Sequence, residues 1–362
     1  MQQGIVQIPF HVGTVDDFVL IRRKSCHKKN AIFVPMERMI ELFTALGERL
    51  RLFGNTSATR EVATVACRAN EWFSTDEVCR ALQAIATEML QPEALRQWLS
   101  TYATPVRVPR RILTVMAGNI PAVGFFDLLC VVCSGHRCVY KPSAKDSVLM
   151  DYIVDELCVL LPEVPVDRYD GTGAVDAVIA TGSDNAERYF RAHYAGIPML
   201  LRGSRRSVAI LSGNETTEQL NGLSDDIWAY SGLGCRNISL IFAPDGYDLK
   251  LKMPHISTKY RNNYRQTKAL LQMNGIQFED LDIAVAVEQR NFPKLLSELA
   301  VARYRTLDEV KTWLTEHDRE IQCVVTDCLS HPRLADFGRA QSPSLTDWPD
   351  GRDVLAWLTD LA

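Results

Sequence analysis

No apolar stretch of this chain is long enough to cross a bilayer. The longest, AVGFFDLLCVVC over Ala122–Cys133, is broken by Asp127 and falls short of the ~20 residues a span needs. The opening MQQGIVQIPFHVG lacks a basic start, a hydrophobic run and a small-residue cleavage site, so no signal peptide is expected. An excess of one charge is also missing. Forty Lys and Arg against 44 Asp and Glu leave a net charge of −4, which provides no global field to draw nucleic acid or an anionic membrane. The chain has no G-x-G-x-x-G, no H-E-x-x-H, no Walker lysine and no G-x-S-x-G elbow, and neither an internal repeat nor a low-complexity tract. The usual dinucleotide fingerprint and a zinc-protease centre therefore cannot be claimed.

What is present is ordinary globular material. A chain of 362 residues with 47% hydrophobic and 23% charged residues can bury two or three domain cores. Ten cysteines scattered through so long a chain are not needed as staples, which points to free thiols in a reducing cytoplasm.

Hydrophobic spacing organises the chain. Ile5–Phe10 and Phe18–Ile21 are short apolar runs, followed by a basic loop over Arg22–Asn30. Met36–Phe53, Thr75–Met89 and Pro92–Leu99 carry helical periodicity. From Arg111 the pattern changes to strands alternating with helices. Arg111–Met116, Cys138–Tyr140 and Val175–Ala180 read as strands; Phe125–Ser134, Asp151–Leu161 and Asn185–His193 read as the helices between and after them. Such alternation predicts a parallel, doubly wound α/β sheet with ligands beyond the carboxyl ends of its strands. A second α/β unit follows, with strands at Ser207–Leu211, Asn237–Ala243 and Ile321–Val325. Its helices are expected at Asp225–Ser231, Tyr260–Met273, Leu307–Glu316 and, last, Asp353–Leu361. The boundary falls within Gly203–Gly213, dividing the chain into residues 1–205, 206–335 and a tail from 336 to 362.

Cys235 is the first chemical candidate. In Tyr-Ser-Gly-Leu-Gly-Cys-Arg-Asn it stands at a turn whose glycines leave room for a substrate to reach the sulfur, and Arg236 and backbone N–H groups could favour a thiolate. The alternative is a small residue packed beneath a turn. Asn119, ending the Arg111 strand in Ala-Gly-Asn-Ile-Pro, can offer its amide to an oxyanion or can cap the following helix. Lys141, closing the next strand in Lys-Pro-Ser, can bond a ribose or phosphate, or stand exposed. Thr181-Gly182-Ser183 can present N–H groups and a hydroxyl to a pyrophosphate, or serve as a plain helix cap.

In order, these turns resemble the aldehyde dehydrogenase superfamily. The stretch LTVMAGNIPAVGFFDLLCVVCSGHRCVYKPSAKDS is similar to its Asn-x-Pro, helix, Gly and Lys-Pro-Ser pattern, IATGSDNAERYF to its Thr-Gly-Ser segment, and GLGC to its cysteine segment. YSGLGCRNISLIFAP and the tail GRAQSPSLTDWPDGRDVLAWL narrow the resemblance to the acyl-CoA reductase branch, which includes the fatty-acid reductase of bacterial bioluminescence. The likeness runs from about Arg111 to the C-terminus. It implies two Rossmann-like three-layer α/β/α domains with parallel sheets, the first for a nicotinamide cofactor and the second for catalysis. It further implies Cys235 as nucleophile and Asn119 as oxyanion donor, with Lys141 and Ser143 on the adenosine ribose. Thr181, Gly182 and Ser183 then lie beside the phosphates, and Gly203 stands at the end of the cofactor domain.

Two departures from the pattern bear on the reaction. Hydrolytic relatives carry a Glu before a Gly-Gly; aligning Gly203 with the first glycine puts Leu201 there, which cannot activate water against an acyl-enzyme. That favours reduction of a thioester over formation of an acid. Many NAD-using relatives have Glu after Lys-Pro-Ser; here Ala144 and Lys145 follow, and Lys145 can pair with a 2′-phosphate, so NADPH is expected, with NADH as the alternative. The resemblance therefore implies reduction of an acyl-CoA or other activated acyl donor to an aldehyde through acyl-Cys235. The alternatives are acyl-phosphate reduction, aldehyde oxidation, and a non-catalytic scaffold. It also implies a homo-oligomer, with the tail as a contact, and leaves room for an acyl-transfer or redox partner protein.

Cys130-x-x-Cys133 has no companion ligands at metal spacing and reads as buried, as do Cys323 and Cys328. No metal is expected. Two basic clusters, Arg202, Arg205 and Arg206 near the boundary and Lys259, Arg261, Arg265 and Lys268 on a helix, could serve the phosphates of coenzyme A but read better as solvated faces.

Overall fold

The computed structural model describes residues 34–182 and 184–361. The two N-terminal apolar runs and the basic loop lie outside the described residues, as does Ser183.

Four helices open the described chain: α1 (Met36–Arg51), α2 (Ser57–Ala69), α3 (Thr75–Glu88) and α4 (Pro92–Leu99). Helix α2 escapes the periodicity argument because its inward face is small, with only Ala63 and Ala66 buried. Its start is fixed instead by a capping box, Thr56 accepting from the Thr59 N–H at 3.2 Å.

The first sheet contains β1 (Arg111–Val115), β2 (Arg137–Lys141), β3 (Val166–Arg168), β4 (Ala177–Thr181) and β5 (Met199–Arg202), linked through α5 (Phe125–Cys133), α6 (Ser147–Leu160) and α7 (Asp184–His193). Its order is β3-β2-β1-β4-β5 and every pairing is parallel. Successive side chains face opposite layers, as strand geometry requires. Ile112, Cys138, Ile179 and Leu200 join the core shared with α1–α6, whereas Leu113, Val139, Val178 and Leu201 pack with Phe190 of α7.

The second sheet contains β6 (Arg206–Ile210), β7 (Ile238–Pro244), β8 (Glu279–Asp280), β9 (Val285–Glu288), β10 (Glu298–Tyr304), β11 (Ile321–Val325) and β12 (Leu334–Ala335). Its order is β12-β11-β6-β7-β10-β9-β8, parallel except for β8 against β9. Helices α8 (Thr217–Trp228) and α9 (Thr258–Met273) contribute Leu223, Ile227 and Tyr260 to one face; α10 (Leu307–Glu316) contributes Val310, Trp313 and Leu314 to the other.

Helix α8 corrects the reading of Asp225–Ser231. It begins eight residues earlier, where Thr216 and Gln219 form a capping box, and it stops at Trp228. The final helix α11 (Val354–Thr359) returns to the first core, burying Val354, Leu355 and Leu358, with the Leu358 carbonyl 2.9 Å from His136 Nε2. No helix among the described residues is long and apolar enough to cross a membrane.

Candidate active site

Because the first sheet is parallel, the loops after β1, β2, β4 and β5 emerge at one edge. The chain winds from β1 through β2 to β3 in one direction and places β4 and β5 on the other side, so a crevice is expected beyond β1 and β4. Gly118 and Asn119 follow β1, Lys141 ends β2 with Ser143 just past it, Thr181 ends β4 with Gly182 after it, and Gly203 follows β5. Lys141, Ala144 and Lys145 are exposed on this rim and Ser143 is half-buried. The Gly182 N–H is engaged within the fold, donating to the Arg202 carbonyl at 3.1 Å.

The loop after β1 is held on several sides. A Cβ on Gly118 would stand 2.7 Å from Ser143 Cβ and Oγ, so only glycine lets the two loops close. Asn70, buried at the end of α2, donates to the Gly118 carbonyl at 3.1 Å. Asn119 is exposed, and its Nδ2 donates to the Leu233 carbonyl at 2.7 Å, two residues before Cys235. The structure thus brings Asn119 against the loop that carries Cys235, through a bond across 114 positions in sequence.

The cysteine loop is bent into an uncommon path. Tyr230, Ser231 and Gly232 have φ of 54°, 56° and 69°, three consecutive left-handed residues of which two are not glycine. Backbone strain of this kind persists only when the surroundings fix it. Asn237 does so from a buried position: its Oδ1 accepts from the Gly234 N–H at 2.8 Å, and its Nδ2 donates to the carbonyls of Asp226, Ile227 and Ala229 at 3.0, 3.2 and 2.9 Å. Ser207 Oγ donates to the Cys235 carbonyl at 2.8 Å, and Arg236 donates to the Asp347 carbonyl at 2.6 Å, tying the tail to the loop.

Cys235 is solvent-accessible, although protein crowds the thiol from the sides. That desolvation pushes the thiol above its ordinary value, with Asp350 adding to the rise. Arg236, Arg202 and the Cys235 N–H oppose it without prevailing. The expectation that Arg236 and the backbone favour the thiolate is right in sign, but burial outweighs them. The other candidate thiols differ. Cys130, Cys133, Cys138 and Cys323 are buried; burial pushes Cys138 up to about 12 and Cys323 up to about 11.

Leu201 is buried with Leu113, Val139 and Val178 in the apolar layer on the α7 side of the sheet. Arg202 turns to the opposite side and forms a buried ion pair with Asp127 of α5. The reading of Arg202 as part of a solvated face is therefore corrected: the guanidinium is internal because a carboxylate on the adjoining helix pairs with it. Arg205 is likewise half-buried, donating to the Ile321 carbonyl at 3.1 Å. On α9, Lys259 pairs with Glu71 and Lys268 with Asp280, while Tyr260 and Tyr264 are buried.

Sequence reasoning did not single out Asn70, Asp146, Ser207 or Asn237 as parts of the site. Asn237 had the nearest signal, a polar residue between the cysteine and a buried strand; Asn70 had none, since it acts across 48 positions.

The family model described as Acyl-CoA reductase (LuxC) matches residues 50–253. No curated protein sequence matches the chain. Among solved structures, an acetylating aldehyde dehydrogenase from Geobacillus thermoglucosidasius is similar at 10% identity and TM-score 0.58, covering 86% of each chain. An NADP-dependent glyceraldehyde-3-phosphate dehydrogenase from Bacillus halodurans C-125, solved with NADP, is similar at 12% identity and TM-score 0.55, covering 81% of this chain and 74% of that one. An aldehyde dehydrogenase from Mycobacterium tuberculosis, solved with NAD+, is similar at 14% identity and TM-score 0.53, covering 83% and 74%. These similarities show an aldehyde dehydrogenase-like fold.

Proposed function

Since the chain belongs to the acyl-CoA reductase (LuxC) family, we propose that it reduces an acyl-CoA, of the fatty acyl class, to an aldehyde through a thioester on Cys235, with NADPH as reductant. The observation that carries this reading is the Asn119 amide seated against the loop of an accessible Cys235. The apolar packing of Leu201, where water-activating relatives carry a carboxylate, supports the reductive direction.

In this reading residues 1–205 hold the nucleotide and 206–335 supply the nucleophile. The Cys235 thiol loses its proton and the sulfur attacks the thioester carbonyl. Asn119, which keeps one amide hydrogen beyond its bond to Leu233, donates to the developing oxyanion. Collapse expels coenzyme A, which leaves with a proton, and Cys235 retains the acyl group. Leu201 offers no base, so water attack on that thioester stays slow. When bound, the nicotinamide supplies a hydride to the acyl carbonyl. Asn119 again holds the oxygen, and cleavage of the carbon–sulfur bond releases aldehyde and returns the sulfur of Cys235.

The rim fits the nucleotide in its donor set. Lys141, Ser143 and Lys145 offer two ammonium groups and a hydroxyl at the end of β2, where Ala144 contributes no carboxylate to repel a 2′-phosphate. Gly203 at the end of β5 and Thr181 at the end of β4 complete the edge. Ala144→Glu is expected to shift the kcat/KM ratio toward NADH; an unchanged ratio removes the basis for the NADPH reading.

The deciding experiment is intact-mass analysis after mixing with decanoyl-CoA in the absence of nucleotide. One acyl adduct, mapping to Cys235 and discharged as decanal on adding NADPH, is expected. A protein that stays unlabelled while folded refutes the proposal.

A further inference from the structure

Asp146 stands three residues beyond Ser143, buried, with 1% of its surface exposed. Its Oδ1 accepts the Ala122 N–H at 3.2 Å, and its Oδ2 is buried with no hydrogen-bond partner. No ion pair to Asp146 occurs among the described residues. A carboxylate so placed would be a buried charge with one neutral donor, a costly arrangement, whereas a carboxylic acid needs far less compensation. Desolvation accordingly pushes its pKa up to about 8, against the pull of the Ala122 N–H.

The partner atom is as informative as the acid. Ala122 has φ of 54°, a left-handed conformation that a residue with a Cβ adopts at a cost. It lies three residues after Asn119, and a Cβ on Gly118 would stand 3.2 Å from Asp146 Cβ. Asp146 also donates its own N–H to the Ser143 carbonyl at 3.0 Å, which anchors it to the loop after β2. One side chain therefore spans the loops that follow β1 and β2, and it bonds at the strained point of the loop that carries Asn119.

We infer that Asp146 is a positioning residue which, as an uncharged acid, braces the Gly118–Ala122 loop and keeps the Asn119 amide seated against the cysteine loop. This rests on the reading of Cys235 and Asn119 as nucleophile and oxyanion donor. Asp146 touches neither substrate nor nucleotide; its effect passes through Asn119.

The test measures the burst of 4-nitrophenolate when 4-nitrophenyl acetate acylates Cys235, a step that needs the nucleophile and the oxyanion donor but neither coenzyme A nor nucleotide. Asp146→Asn, which keeps a neutral group and an acceptor for Ala122, is expected to acylate within about twofold of the parent. Asp146→Ala is expected to lose about 10²-fold in acylation rate, the scale of a displaced catalytic group, with little change in the apparent affinity for the ester. In the double variant with Asn119→Ala the two losses do not multiply, because both remove the same placed amide. If Asp146→Ala fails to fold, Asp146→Ser, whose hydroxyl is too short to reach Ala122, takes its place. The inference is overturned if Asp146→Ala acylates at the parental rate, if Asp146→Asn is equally slow, or if the two losses multiply. A parent that acylates with the ester yet ignores acyl-CoA refutes the proposed substrate and leaves the test of Asp146 intact. A parent that shows no Cys235-dependent burst refutes the roles of Cys235 and Asn119, and the inference falls with them.

Discussion

The side-chain amide of Asn119 donates to the Leu233 carbonyl across 2.7 Å, joining the loop that ends β1 to the loop that carries Cys235. This bond joins a loop of the first sheet to a loop of the second two residues before Cys235. It also divides the duties of the amide: one hydrogen fixes the side chain, and the other remains for the substrate oxygen.

Asn119→Ala is therefore expected to reduce kcat by about 10²–10³, the usual scale for loss of one oxyanion donor. Asn119→Asp retains the size but has no hydrogen to donate, and should be at least as slow. Steady-state rates with decanoyl-CoA and NADPH decide this; a loss below about threefold in both variants removes Asn119 from the oxyanion role.

The protonation of Cys235 can be read by alkylation. Because crowding holds the thiol above its ordinary value, the rate of iodoacetamide labelling at this one peptide should still be rising beyond the pH at which a free cysteine levels off. Arg236→Gln removes an opposing positive charge and should move the midpoint up. Asp350→Asn removes a negative charge and should move it down. Structural damage alone would not push the midpoint in opposite directions, and coincident midpoints for the three proteins contradict the assignment.

Asn237→Ala removes four hydrogen bonds at once and takes a side-chain donor from the carbonyls of Asp226, Ile227 and Ala229, of which Asp226 keeps Gln341. A loss of about 2–4 kcal/mol in unfolding free energy is expected, together with slower Cys235 acylation because the left-handed turn is no longer fixed. Urea denaturation and the nitrophenolate burst report the two effects separately. Full acylation in a destabilised variant would show that Asn237 supports the fold and not the thiol's placement.

Asp226 gives a pH prediction of definite sign. It is buried on α8, where its two oxygens accept the N–H groups of Gly338 and Ala340 at 2.7 and 3.0 Å, fastening the tail. Burial raises its pKa to about 7 against those donors, with Asp225 adding to the rise. Below about pH 4, folded and unfolded chains both hold the proton. Between there and about 7 only the folded chain does, so this residue's contribution falls as pH rises and levels off above about 7. Asp226→Asn starts lower at acidic pH, having lost an acceptor, and lacks the slope. The gap between parent and variant in urea midpoint should shrink from pH 5 to pH 8; a constant or widening gap counts against the assignment.

The legible part of the site was local. Asn-Ile-Pro after β1, Lys-Pro-Ser after β2 and Gly-Leu-Gly-Cys before β7 are short stretches whose backbone demands can be read in place. Helices α4 and α10 and strand β11 have the bounds their residues suggest. Helix α2 and the start of α8 were missed; α2 turns mostly small residues inward, and a capping box marks where each begins.

The sequence by itself determined which residue types stand at the strand ends and that two α/β units follow each other, since periodicity and turn chemistry act within a few residues. Only the tertiary structure decided that the Asn119 amide meets the Leu233 carbonyl, that Arg202 is internal, and that Asp146 is a buried acid with one donor. Those facts depend on desolvation and on contacts across tens to more than a hundred residues, and neither can be read until the chain has closed on itself.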